Sequence, residues 1–294
     1  MAERMIDSNG LRLWTENFGD PRNPTLLLIM GASAQGIQWP EPFIEKFVER
    51  KYHVIRYDNR DTGQSTCFDF SENPYTLDDL ANDAIGVLDA YDVGSAHLAG
   101  ASMGGMITQT LMVQQPKRVR SASIIMSSPL AGGGDDGGPI LSVPGLAGPD
   151  PQWLTELVAL QASMPMNTFD DMVAMRVAMF TKLAGSLPVD TAGLRDIAKR
   201  EIGRATNFAA QANHGLAVGA SSPRDRRPLL RKTSVPTLVV HGTEDPILPY
   251  PHGKALAEAI PGAKLLTFDG MGHDLPAQVW PQLVDAMLAN MQRA

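Results

Sequence analysis

Gly100-Ala101-Ser102-Met103-Gly104 is the stretch on which the reading of this chain turns. The apolar run Ala96-His97-Leu98-Ala99 precedes it, and Met106-Ile107-Thr108-Gln109-Thr110-Leu111-Met112-Val113 follows with a helical pattern. A serine spaced between two glycines at a strand-to-helix turn is a nucleophile elbow. The chain doubles back too tightly there for a Cβ at Gly100 or Gly104. Strain in the turn lifts the serine hydroxyl out of the sheet, where a base and a substrate can both reach it. The competing reading is a glycine-rich connection with an ordinary serine, and the surrounding chain has to decide between them.

Moving outward, strand and helix patterns alternate. Residues 6–15 carry Ser8-Asn9-Gly10 between two semi-apolar stretches and are expected to form a hairpin. Strands are expected at 25–30, 54–57, 122–126, 237–240 and 264–268, and helices at 42–50, 253–259 and 278–291. Between 76 and 91, Leu77, Leu80, Ala81, Ala84, Leu88 and Tyr91 share one face, and Thr76 with Asp79 forms a capping-box pattern. Residues 131–150 hold many Gly and Pro and are expected to be a loop, and 152–204 read as helical. Alternation of this kind predicts an α/β fold: a mostly parallel central sheet with helices on both faces. The expected core is 1–130 with 233–294, and 131–232 is expected to be an inserted helical cap.

Composition narrows the partners. Lys+Arg number 25 and Asp+Glu 32, a net charge of −7 in a 294-residue chain. The one basic cluster, Arg224-Asp225-Arg226-Arg227 with Arg231-Lys232, is broken by an acid and a proline and is expected to be a solvated linker. Nucleic acid is therefore not an expected partner. The first ten residues lack the apolar core of a secretory signal, and Leu26-Leu27-Leu28-Ile29-Met30 is too short to span a bilayer. Cys67 is the lone cysteine, so no intrachain disulfide and no Cys-rich zinc site can form. A reducing, cytoplasmic setting is the expectation.

A serine hydroxyl needs a base in contact, and the base needs an acid to fix its tautomer. Of six histidines, His53, His97, His241, His214 and His252 fall in or beside strands and helices and are expected to be structural or at the surface. His273 differs, because Gly270-Met271-Gly272-His273 is a loop at the carboxyl end of the last strand, where open α/β sheets place their crevice. The acid is expected after the preceding strand, in His241-Gly242-Thr243-Glu244-Asp245. Asp245 is preferred over Glu244 because Asp245-Pro246 starts a fixed turn with a shorter side chain. Asp269 and Asp274 are rivals, poorly placed to align an imidazole that is their near neighbour in sequence. An oxyanion needs backbone N–H donors. Met103, directly after the serine, is one candidate, and Ala32 in Gly31-Ala32-Ser33 is the other.

Four segments carry a family resemblance: Tyr57-Asp58-Asn59-Arg60-Asp61-Thr62-Gly63-Gln64-Ser65, Gly100 to Gly104, Thr243-Glu244-Asp245-Pro246 and Gly270-Met271-Gly272-His273. With them the chain resembles a capped α/β-hydrolase, and within that superfamily it is similar to the aclacinomycin methylesterase group. The resemblance implies a triad of Ser102, Asp245 and His273, no metal or other cofactor, and hydrolysis of a small-molecule carboxylic ester through an acyl-enzyme. Many members have His-Gly at the oxyanion turn where this chain has Met30-Gly31, a change that leaves the backbone donor in place. The 58–65 run is expected to fix a turn beside the site, with Arg60 and Asp61 structural. Perhydrolase or lactonase activity on the same triad, and a small-ligand receptor on a hydrolase scaffold, are the alternatives. Met164, Met166, Met172, Met175 and Met179 suggest either a pliable apolar pocket or plain helix packing.

Overall fold

Leu26 and Leu28 face one side of a strand and Leu27 and Ile29 the other, and all four are fully buried. A period of two with both faces apolar is what a strand covered on both sides requires. The computed structural model describes residues 2–132 and 141–294. The expected hairpin is β1 (Ala2–Ser8) with β2 (Leu11–Phe18). There follow β3 (Thr25–Ile29), α1 (Glu41–Val48), β4 (His53–Tyr57), α2 (Leu77–Ala90), β5 (Ala96–Ala101), α3 (Met103–Gln114) and β6 (Val119–Ile125). Among the described residues five helices then intervene: α4 (Pro151–Ser163), α5 (Phe169–Leu183), α6 (Thr191–Arg204), α7 (Asn213–Ala220) and the short α8 (Arg227–Leu230). The chain returns to the sheet with β7 (Thr237–Gly242), α9 (Pro251–Ala259), β8 (Lys264–Phe268) and α10 (Trp280–Met291).

The eight strands form one sheet in the order β1-β2-β4-β3-β5-β6-β7-β8. Only β2 runs antiparallel to its neighbours; every other pairing from β4 to β8 is parallel. On one face, Leu27, Ile29, Leu98, Ile124 and Val239 pack with Leu80, Ala84 and Leu88 of α2, Met106, Ile107 and Leu111 of α3, and Leu256 of α9. On the other, Leu26, Leu28, Ala99, Ile125, Leu238 and Val240 meet Phe43 and Phe47 of α1 and Leu283 and Met287 of α10. Each fully buried Leu or Phe contributes roughly 1.5–3 kcal/mol of transfer free energy. This is the mostly parallel sheet with helices on both faces expected from the alternating pattern.

Differences from the expected elements have local causes. The helical stretch 152–204 is three helices, because Pro165 and Pro188 each interrupt it. α2 does carry the Thr76–Asp79 capping box, and α5 has a second one at Thr168–Asp171. The last helix is preceded by a 3-10 turn at Ala277–Val279, and Pro281 sits in its first turn, where a missing N–H is harmless. Of the expected loop at 131–150, residues 133–140 lie outside the described residues; 141–150 are turns with one isolated bridge between Val143 and Leu146. The basic cluster is solvated only in part: Arg231 and Lys232 are exposed, whereas Arg226 is not. Arg226 is only 5% exposed and donates to Gln109 Oε1 and to the carbonyls of Ser128 and Leu130. Burial lowers its guanidinium to about 10, which leaves it charged at neutral pH. It serves carbonyls of the loop after β6, of which Ser128 O also accepts from Gln109 Nε2 at 3.1 Å.

Candidate active site

The turn from β5 to α3 is as tight as its glycines imply. A Cβ on Gly100 would stand 2.1 Å from the Gly104 carbonyl oxygen, and one on Gly104 would stand 2.1 Å from that of Ile29. Ser102 sits at φ 54°, ψ −119°, in a region that strains an L-residue. Its backbone is held on both sides: the N–H donates to Ile125 O at 2.9 Å, and the carbonyl accepts from Gly105 N and from Ser127 Oγ. The hydroxyl makes no cap bond to α3 and is left to face the loop after β8.

That loop carries His273. Ser102 Oγ lies 3.0 Å from His273 Nε2, and His273 Nδ1 lies 2.7 Å from Asp245 Oδ2. Asp245 leaves β7 in the adjacent loop, and its Oδ1 accepts from the N–H groups of Ile247 and Leu248 at 3.0 and 2.8 Å. Burial pushes the Asp245 carboxyl up, but the neighbouring His273, together with hydrogen bonds from His241 and His273, overrides it and holds the group well below the usual carboxylate range. An ionised carboxylate only accepts. Nδ1 of His273 therefore carries the proton, and Nε2 is free to accept from the Ser102 hydroxyl. The chain of bonds can thus move a proton off serine while a buried anion stabilises the cation that forms.

The rival acids have other duties. Glu244 accepts from the N–H and Oγ of Ser186 at 2.7 and 3.0 Å, tying the loop after α5 to the loop after β7. Asp269 accepts from Thr243 Oγ1 at 3.0 Å. Asp274 is half-buried, its Oδ1 has no partner among the described residues, and burial raises its carboxyl to about 6 against the opposing pull of His273. The sign of the resulting pH dependence follows. Between its ordinary value and about pH 6, the unfolded chain has already released this proton while the folded protein still holds it. Stability therefore falls as pH rises through that window. Asp274→Asn is expected to gain stability over the parent as pH rises from 4 to 7, with the difference closing at pH 4. Urea midpoints across that range check it; a difference independent of pH would remove Asp274 as its source.

The other five histidines are buried and hydrogen-bonded. His53 lies between Asn17 and Thr25, His97 against Ser121, His214 against Ser33 and Arg60, and His252 between Ser128 and Ala147. His241 is more than structural filling. Its Nε2–H donates to Leu248 O at 2.7 Å and stands 3.4 Å from Asp245 Oδ2. Its four-residue spacing from Asp245 was the available signal, and sequence reasoning passed over it.

The expected oxyanion turn lies against the elbow. A Cβ on Gly31 would be 3.0 Å from Ser102 Cβ. The Met30 carbonyl is held by Asn59 Nδ2 at 3.1 Å. Ala32 is exposed, and its N–H has no acceptor among the described residues. Met103 opens α3, where a helical N–H has no intrahelical acceptor. The 58–65 run braces this turn from behind. Asp58 accepts from Gly36 N, Gln64 N and Arg204 Nη1. Arg60 makes a two-pronged pair with buried Asp83 at 2.7 and 2.8 Å, and Asp61 accepts from Tyr75, Phe68 N and Asn213. Met103, Met106 and Met271 are buried in the two core clusters, so they support the loops from beneath. In the inserted segment Met175 is buried and Met166 is 48% exposed. Among the described residues no group of three or more His, Cys, Asp or Glu could hold a metal ion, and no helix is long and apolar enough to cross a membrane.

Comparison with known proteins identifies the family. A family model described as the alpha/beta hydrolase fold matches residues 24–277. The chain is 34% identical to rhodomycin D methylesterase DauP of Streptomyces sp. (strain C5), covering 100% of this chain and 99% of that protein. It is likewise 34% identical to rhodomycin D methylesterase DnrP of Streptomyces peucetius over the same shares. Among solved structures, the esterase EaEST from Exiguobacterium antarcticum superposes with a TM-score of 0.75 at 19% identity, covering 98% of each chain, a likeness of fold.

Proposed function

Because the chain belongs to the alpha/beta hydrolase fold family, we propose that it is a serine carboxylesterase with Ser102, His273 and Asp245 as its triad. The observation that carries this reading is the unbroken bond chain from Ser102 Oγ through His273 to buried Asp245. Ser102 Oγ attacks the ester carbonyl while its proton passes to His273 Nε2. The negative charge that builds on the carbonyl oxygen is met by the N–H groups of Ala32 and Met103. His273 then gives the proton to the departing alkoxide, and the alcohol leaves behind an acyl group on Ser102. Water enters, His273 takes its proton, and a second tetrahedral intermediate collapses to the free acid and restored serine. Asp245 stays ionised throughout.

Residues 131–232 act in this reading as a cap over the crevice. The substrate is a small to medium apolar ester, and the names of the 34%-identical relatives make methyl esters the first class to examine. The test is rapid mixing with p-nitrophenyl acetate, followed by steady-state hydrolysis of methyl esters, longer acyl esters and lactones. A burst of nitrophenol approaching one equivalent per chain, with turnover on at least one ester, is expected. Saturable ligand binding without burst or turnover would overturn the reading in favour of a small-ligand receptor.

A further inference from the structure

All three polar groups of Ser33, the residue after Ala32, are held by side chains or carbonyls of the inserted segment. Its N–H donates to His214 Nδ1 at 3.0 Å, its hydroxyl donates to Gln211 O at 2.9 Å, and its carbonyl accepts from Arg176 Nη2 at 2.7 Å. The two side chains are themselves fixed. His214 is fully buried and its Nε2–H donates to Arg60 O at 2.7 Å, so Nδ1 is left as an acceptor. Arg176 pairs with Glu201, whose side chain is fully buried, at 3.1 Å. Ser33 lies at φ 57°, a conformation that persists only where its surroundings over-determine it.

The same segment reaches the other side of the site. His273 N–H donates to Leu183 O at the end of α5, at 2.7 Å. Arg176 and Leu183 are about 10 Å apart along that helix at 1.5 Å per residue. One rigid element therefore touches both the oxyanion turn and the histidine loop.

We infer that the inserted segment sets the oxyanion turn, with His214 and Arg176 as positioning residues that act on Ala32 through Ser33. The inference rests on the esterase reading above. Ala32 is clamped from one side by Gly31, pressed against Ser102, and from the other by Ser33. Its own exposed methyl group holds nothing. Without the His214 acceptor, the Ser33 N–H loses its anchor, and the turn can pivot about the Ala32 Cα so that the Gly31–Ala32 peptide, which carries the Ala32 N–H, leaves the line the oxyanion needs. Loss of an oxyanion donor falls on the transition state and spares the bound ester, so kcat should fall while KM holds.

The test compares His214→Leu, His214→Asn and Ser33→Ala with the parent, using p-nitrophenyl acetate with rates normalised to active sites titrated by the burst. H214L is expected to lower kcat per site about 10- to 100-fold with KM within about threefold, since loss or misplacement of a positioned group carries penalties of this order. H214N keeps an acceptor near the Nδ1 position and is expected to recover kcat to within about fivefold of the parent. S33A, which loses only the Gln211 bond, is expected to lose about threefold to tenfold. The inhibition constant of phenylboronic acid, which forms a tetrahedral adduct on serine, should rise in step with the fall in kcat/KM. A kcat per site within about twofold of the parent in both H214L and S33A would overturn the inference; if H214L does not fold, S33A alone decides. The underlying reading fails separately: it falls if Ser102→Ala stays active, and it stands if that variant is inert while H214L and S33A are unaltered.

Discussion

Ser102→Ala should lower ester turnover about 10⁶-fold and abolish the nitrophenol burst, the scale on which a triad serine is lost elsewhere. The residual rate reflects binding and backbone donors alone. The fold should be untouched. Among the described residues the Ser102 hydroxyl caps no helix and bonds only to His273, and the bonds to the Ser102 backbone that hold the elbow involve Ile125, Gly105 and Ser127. Stability within about 0.5 kcal/mol of the parent is expected, as for changes that disturb neither packing nor buried polar groups. Urea unfolding read beside kcat checks both halves. A folded S102A chain that still turns over ester would exclude Ser102 as the nucleophile.

Asp245→Asn should lower kcat about 10⁴-fold with geometry preserved, because the defect is one of tautomer. The asparagine oxygen can still accept from Ile247 and Leu248, but its amide must donate toward His273 Nδ1. The imidazole proton then moves to Nε2, and Ser102 faces a donor where it needs an acceptor. A second signature separates this from misfolding. The Asp245 carboxyl is held far below its ordinary value in the folded state, so it contributes stability above that ordinary value and loses the contribution as pH falls below it. D245N lacks that contribution, so the gap in stability between parent and variant should narrow as the solution is acidified from neutral pH. Unaltered kcat in D245N would move the acid's role to another carboxylate, Asp274 being the one nearest His273 in sequence.

Much of the molecule could be read from its residues because the signals were local. Strands covered on both faces leave apolar runs such as Leu26 to Met30, and the Thr76–Asp79 box marks where α2 starts. The elbow depends on glycines that stand two residues either side of a serine, and Asp245 and His273 each follow a strand within a few residues. Choosing Asp245 over Glu244 rested on turn chemistry, and the structure sends Glu244 to Ser186 instead. The interactions that escaped notice join residues far apart in the chain. Ser33 meets His214 across 181 residues and Arg176 across 143. Arg226 is buried by carbonyls nearly 100 positions earlier, at Ser128 and Leu130. Periodicity and spacing carry no information about such meetings; they are decided by how an inserted segment settles on a finished sheet.

The strand order has one more result, in time. β1 to β6 fill the sheet without a gap, and β7 and β8 add at one edge. The serine and the turn beside it are therefore made early, whereas the imidazole arrives 171 residues after Ser102. At about 5–20 residues per second, synthesis of that interval takes roughly 10–30 s. Throughout it the nascent elbow holds an alcohol of ordinary reactivity, with no base beside it. In the esterase reading, the growing chain is thus spared premature acylation, and Ser102 gains its base only when the last strand closes the edge.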